Sequence, residues 1–248
     1  MRATPRFRSL LLPLYLVGFA AHAQLGGDLQ AQILYAFHAE DVNELTSVIQ
    51  TLNTQIQAGG TDSALRYHLA HADYRLGLLS ADAHRAEPAF SGCIDQLKAL
   101  LDQQADSAEA LTLQSACYVN LARFKKLEAV LLRSRAEDRL HSAYQLAPRN
   151  PRVAYFTALD EMTRAKPGSA ESGHAYAQLQ LAVQLFEQTS ATRIDVPGWG
   201  HAEAYLELGK QLQARGDVLG ARNWIEKSLI VAPDFKAAQR QLATLVRR

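Results

Sequence analysis

Between residues 202 and 233, small, branched and helix-breaking residues fall at intervals that suit two antiparallel helices packed face to face. Tyr205, Leu208 and Leu212 recur on one helical face, and Gly209 leaves that face bare where a second helix can approach its backbone. Gly216-Asp217 ends the first helix and supplies a cap for the next. Ala221, Ile225 and Ser228 then repeat at the helical period as the opposing face, and Pro233 blocks further helix. A hairpin of this kind cannot bury its apolar faces alone, so it requires neighbours of similar build.

Fainter copies lie upstream. Leu69-Ala70 followed by Gly77 repeats the spacing of Leu208-Gly209 and Gly216, and Ser115, Tyr118, Ala122 and Phe124 suggest another first helix with its turn. Ala86-x3-Phe90-x2-Cys93 and Ala175-x3-Leu179-x2-Ala182 match Ala221-x3-Ile225-x2-Ser228. Ala143 stands five residues before Pro148, as Ser228 does before Pro233. The 202–233 segment resembles the tetratricopeptide repeat pattern W-x2-L-G-x2-Y, A-x3-F and P, with conservative replacements at four places. The resemblance implies an all-α, TPR-like α-α superhelix (solenoid) of about five irregular helical hairpins plus a C-terminal capping helix. Helices are expected near 28–38, 41–57, 62–79, 84–103, 107–121, 124–146, 151–164, 174–188, 200–214, 217–231 and 234–247. Asp41 with Glu44, and Asp106 with Glu109, have capping-box spacing, and Asn150-Pro151 reads as a cap followed by a first-turn proline. The spacing from Leu127 to Pro148 implies a helix over two turns longer than its counterpart before Pro233. Residues 164–173 and 188–198 read as long connections, and in Pro197-Gly198-Trp199-Gly200 the indole is expected to staple the start of the next helix. A phosphate-binding loop or a lid is the other reading of that segment.

At the other end, Arg2, Arg6 and Arg8 precede an apolar stretch, Leu10 to Ala20, and Ala21-His22-Ala23 offers a small-x-small cleavage pattern. The expected organisation is a signal peptide over 1–23, cut between Ala23 and Gln24, and a TPR-like helical repeat domain over 24–248. The stretch is too short for a permanent span, which needs about 20 residues. Three of the 26 basic residues fall in the leader, leaving 23 against 25 acidic ones. That near-balance excludes a broad nucleic-acid or anionic-membrane footprint. The expected location is the periplasm, soluble after cleavage, with secretion as the alternative.

Cys93 and Cys117 are the two thiols, in a compartment that would be oxidising. Each lies about twelve residues from a turn near Ala105-Asp106, so a hairpin sets them at similar height, with Gly92 and Ala116 beside them. A disulfide would close a loop of about 25 residues, worth roughly 3.5 kcal/mol in the chain-entropy model. Two reduced, buried thiols are the alternative. His68-x-x-His71 is the one metal-like spacing, with Asp73, Asp82 and His84 as possible third ligands, and a metal-dependent enzyme at His68 and His71 is the reading it would support. No H-E-x-x-H, G-x-S-x-G or P-loop occurs, so neither catalytic residues nor a cofactor are expected. In the tetratricopeptide family the first helices build the inner surface. The resemblance therefore implies a partner-binding groove of Tyr67, His71, Tyr74, Arg75, Glu109, Asn120, Glu203, Lys210 and Gln213, with ordinary helix packing as the competing reading for the tyrosines. The function so implied is a scaffold that binds another envelope protein or a peptide through a concave helical surface. A small-ligand-binding accessory of an envelope transport system is the alternative, and an apolar inner cavity would favour it.

Overall fold

Short acidic, amide and hydroxyl side chains begin most of the helices. Asp41, Asp62, Asp82, Ser107, Asn150 and Asp217 each accept a backbone N–H from the first turn that follows. In the computed structural model, which describes residues 28–59, 62–166, 168–190 and 198–246, eleven helices form and no strand occurs among the described residues. They are α1 (28–38), α2 (Val42–Gln57), α3 (Ser63–Leu79), α4 (Ala83–Leu101), α5 (Ala108–Leu121), α6 (Ala129–Leu146), α7 (Pro151–Arg164), α8 (Ala170–Ser190), α9 (His201–Ala214), α10 (Val218–Val231) and α11 (Lys236–Val246). The leader with its Ala23-Gln24 junction, Gly60, Pro197, Arg247 and Arg248 lie outside the described residues. No described helix is long and apolar enough to cross a membrane.

The helices pack as successive antiparallel hairpins, most extensively α3 on α4, α5 on α6, α7 on α8 and α9 on α10, with α11 covering α10. In α9–α10 a Cβ at Gly209 would fall 2.6 Å from Ile225 Cγ1 and 3.1 Å from the Ala221 carbonyl oxygen. The glycine therefore sets the interhelix distance. Gly216 turns the chain at φ +84°. Ser228 Oγ donates to the Ala202 carbonyl at 2.7 Å, and Ser115 Oγ does the same to Ala136 in α5–α6 at 2.8 Å.

Three expectations need correction. Helix α6 starts at Ala129, five residues late, because residues 122–128 form successive turns. Ala136, fully inside the core, occupies the place of Ala221, and Pro148 follows it by twelve residues just as Pro233 follows Ala221. Matching Leu127 to that place instead overstated the helix, which at 18 residues is one turn longer than α10 at 14. Helix α8 starts at Ala170, so the connection expected over 164–173 is short; Ser169 Oγ accepts the Ser172 N–H at 3.2 Å and helps start it. The cap of α5 is Ser107, not Asp106, since Glu109 turns away to a distant arginine.

Cys93 and Cys117 form a disulfide between α4 and α5, with Cα atoms 6.4 Å apart and both side chains buried. Gly92 serves a different contact: its missing Cβ makes room for Asp73 of α3.

The first and last hairpins meet. Phe235, ahead of α11, packs against Phe37 and His38 of α1 at ring distances of 6.2 and 4.5 Å. Arg240 of α11 donates to Glu40, in the α1–α2 turn, at 2.9 Å. Glu40 holds a left-handed φ of 53° that seldom suits a residue with a side chain.

Gly209→Ala should lower stability by about 1–3 kcal/mol, because Ile225 and Ala221 must be pushed back. Gly173→Ala, with nothing within 4 Å of the new Cβ, should raise it by up to about 1 kcal/mol. Urea unfolding reads both, and two changes of the same sign would contradict the packing described.

Candidate functional site

Gly200 has φ +100°, and a Cβ there would lie 2.7 Å from Phe186 Cζ, so only glycine lets the chain turn into α9 at this place. The turn drives Trp199 inward until it is 2 % exposed. His71 of α3 stacks on the indole at 5.0 Å between centroids, and Phe156 of α7 meets it edge-on at 5.9 Å. The guanidinium carbons of Arg75 and Arg152 lie 5.3 and 5.6 Å from the ring. Such cation–π contacts strengthen when water is excluded. The indole N–H donates to Tyr67 Oη at 3.0 Å, and Arg152 Nη1 donates to the Trp199 carbonyl at 3.2 Å.

Each arginine has a carboxylate. Arg152 Nε and Nη2 reach the two oxygens of Glu109 at 2.6 and 2.7 Å, and Asn150 Nδ2 adds a third bond at 2.6 Å. This bidentate geometry is the strong form of the pair. Arg75 Nη2 donates to Glu203 Oε1 at 2.5 Å and Arg75 Nε to His71 Nε2 at 2.9 Å, while the guanidinium lies 4.1 Å over Phe37. Glu203 Oε2 also accepts the Gly200 N–H at 3.1 Å, which ties the turn to the ion pair.

Burial by itself would raise the Glu203 carboxyl, but Arg75 and then His38 outweigh it and hold it well below the usual carboxylate range. His38 Nε2 stands 3.7 Å from Glu203 Oε1. Burial, reinforced by the Arg75 charge, keeps His71 neutral. With Nε2 accepting, its proton sits on Nδ1. Burial also raises the Tyr67 hydroxyl far above its ordinary value and Tyr74 to about 12. With two cations, two anions and neutral rings, the assembly carries no net charge.

Of the nine residues assigned to an open groove, Tyr67, His71, Tyr74, Arg75, Glu109 and Glu203 do converge, on α3, α5 and α9. They converge in the interior, however. Tyr67, His71, Tyr74 and Arg75 are at most 9 % exposed. The chain's own Trp199 fills the space that Tyr67, His71 and Arg75 face, and Tyr74 packs against Phe90 and Phe156. The groove assignment is corrected for these residues. Asn120 near the end of α5, Lys210 and Gln213 stand apart from the cluster; Gln213 instead meets Thr244 and Gln241 of α11. The family resemblance identified the inward faces, but residues 198–200 as their occupant, and Arg152 as a member, were missed. The one available signal was an arginine embedded in the apolar run Val153, Ala154, Tyr155 that follows Asn150-Pro151.

The metal reading of His68 and His71 fails on geometry. His71 Nε2 is engaged by Arg75, two guanidinium groups lie close by, and Asp82 caps α4 through the His84 N–H. No three ligating side chains come together among the described residues. Asp73 faces elsewhere, into a cleft on the α2–α4 side. The apolar inner cavity that would favour a small-ligand accessory is replaced by the packed indole.

Glu203→Gln should cost about 3–5 kcal/mol, since it strands a buried Arg75 charge. Arg240→Ala breaks a pair whose side chains are 63 % and 32 % exposed and should cost about 1 kcal/mol or less. Equal losses in denaturant titrations would contradict this ranking.

No protein-family model and no curated protein matches the sequence. Among solved structures, the chain is similar to the crystal structure of TTC0263, a thermophilic TPR protein in Thermus thermophilus, with a TM-score of 0.62 and 18 % identity. The match covers 91 % of this chain and all of that one.

Proposed function

Starting from a tetratricopeptide-like fold, we propose that this chain is an exported scaffold that binds another protein or a peptide of the cell envelope, acting by recognition and not by catalysis. The observation that carries the reading is how the inner face treats residues 198–203. Tyr67 of α3 and Arg152 of α7 clasp a piece of polypeptide through its indole and its carbonyl. Such side chains bind well because they bring large area at limited entropy cost. The same cluster pairs Arg75 with Glu203 and Arg152 with Glu109. Because that face is already filled, a partner is expected on the outer grooves between hairpins, where polar side chains of α2, α3 and α4 line an open cleft of about 660 Å³. Export rests on the leader pattern and agrees with the Cys93–Cys117 disulfide.

A photoreactive amino acid placed at Ser47 on α2, at Lys210 on α9 and at Arg222 on α10 separates the faces in living cells. The expected result is a discrete heavier adduct from Ser47 in the periplasmic fraction, with none from Lys210. Retention of the chain in the cytoplasm with its leader uncut, or an absence of adducts from Ser47, would contradict the proposal.

A further inference from the structure

Helix α6 and the turns before it carry an outward surface that the buried assembly does not use. Leu127 is fully exposed, Val130 is 84 % exposed and Leu131 52 %, and their i, i+3, i+4 spacing sets them side by side at the helix start. The turn beneath them is held firmly. Lys125 N–H donates to the Leu121 carbonyl at 3.1 Å, Glu128 N–H donates to the Lys125 carbonyl at 3.0 Å, and Phe124 stacks on Phe90 of α4. Leu132, the next residue along, is buried. One side of α6 thus meets the core while three aliphatic side chains stand clear of the other. Contiguous apolar surface on a folded protein marks an interaction site.

The charges around this tip are one-sided. Residues 123–135 hold five basic side chains and one acidic, in a chain whose totals are 26 and 25. Lys125 meets that one acid, Glu128, at 3.7 Å. Lys126, Arg133 and Arg135 are exposed and have no acidic partner among the described residues, and Arg123 in the preceding turn is exposed as well. With about 3.6 residues per turn, Arg133 falls on one flank of the apolar crest and Arg135 on the other. The overall balance that excludes a broad anionic footprint therefore conceals a local cationic ring around an apolar tip.

We propose that this tip seats on the surface of an anionic phospholipid membrane. Leu127, Val130 and Leu131 enter the headgroup boundary, and Arg123, Lys126, Arg133 and Arg135 meet lipid phosphates. Apolar insertion and attraction to anionic headgroups are what hold such segments in the interface. A groove on another protein fits the tip less well, because the seam is too short. Helix-in-groove docking reads anchors at i, i+3, i+4 and i+7, whereas Ser134, Asp138 and His141 continue this crest as polar side chains. Cations on both flanks suit a plane of negative charge. The attachment goes beyond the scaffold function and uses a face separate from the α2–α4 cleft, so either can fail without the other.

Every described helix lies beyond residue 27, so the chain from Gln24 keeps them all and removes the apolar leader as a source of lipid binding. The test is its co-sedimentation with large vesicles of phosphatidylcholine containing about one third phosphatidylglycerol, against phosphatidylcholine alone. Binding to the anionic vesicles should be about tenfold stronger or more, and the difference should shrink at high salt. Leu127→Asn with Val130→Asn, at exposed positions that the fold does not need, should weaken binding about tenfold or more. Arg133→Gln with Arg135→Gln should weaken it about fivefold for each charge removed. Leu219→Asn with Arg222→Gln, an exposed apolar and basic pair on α10, should leave binding unchanged within about twofold. Equal sedimentation with neutral and anionic vesicles, full binding by either α6 variant, or an equal loss in the α10 variant would overturn the proposal. A protein adduct from a photoreactive amino acid at Leu127, without vesicle binding, would also overturn it and give the tip to a protein partner.

Discussion

The fold is organised around one indole held between two ion pairs. Trp199 enters where the repeat array would otherwise enclose an open channel. Arg75 and Arg152 flank it, and each arginine is neutralised by a glutamate from a different hairpin, Glu203 on α9 and Glu109 on α5. Burying four charges is costly, and the geometry offsets that cost by pairing each of them and adding neutral donors from Asn150 and Gly200. The bonds run from α5 to α7, between adjacent hairpins, and from α3 to α9, between hairpins far apart in sequence. This gives an otherwise nearest-neighbour architecture long-range contacts that a solenoid lacks.

Closure follows from the same centre. Arg75 contacts Phe37 of α1 on one side and Glu203 of α9 on the other, which draws the first hairpin onto the last. Phe235 and Arg240 then meet the α1 end, with Glu40 in a strained backbone conformation that presents its carboxylate to Arg240. A superhelix closed in this way exposes its outer grooves and withdraws its inner wall.

Local chemistry made most of the helical plan legible. Capping residues and proline or glycine stops are short-range signals, and the faces of α9 and α10 follow from residues within one repeat. Errors arose where a longer-range interaction took a residue away from its local role. Glu109 has the spacing of a cap partner for Asp106 but serves Arg152, and Leu127 has the character of a core leucine but lies in an exposed turn. Periodicity put Tyr67 and His71 on one face with Arg75 at its edge, and the family resemblance turned that face inward, whereas neither named its occupant. Trp199 is 132 residues from Tyr67 along the chain, and only a turn with positive φ at Gly200 brings it there. Periodicity reports the face on which a side chain lies and gives no information on what that face will meet.

The two tryptophans allow the centre to be probed directly, because Trp224→Phe leaves Trp199 as the one remaining indole. In that variant the account predicts blue-shifted emission that acrylamide scarcely quenches, with both properties lost together on unfolding. Red-shifted emission quenched as readily as a free indole in the folded protein would show that the inner wall is open and that residues 198–203 do not fill it.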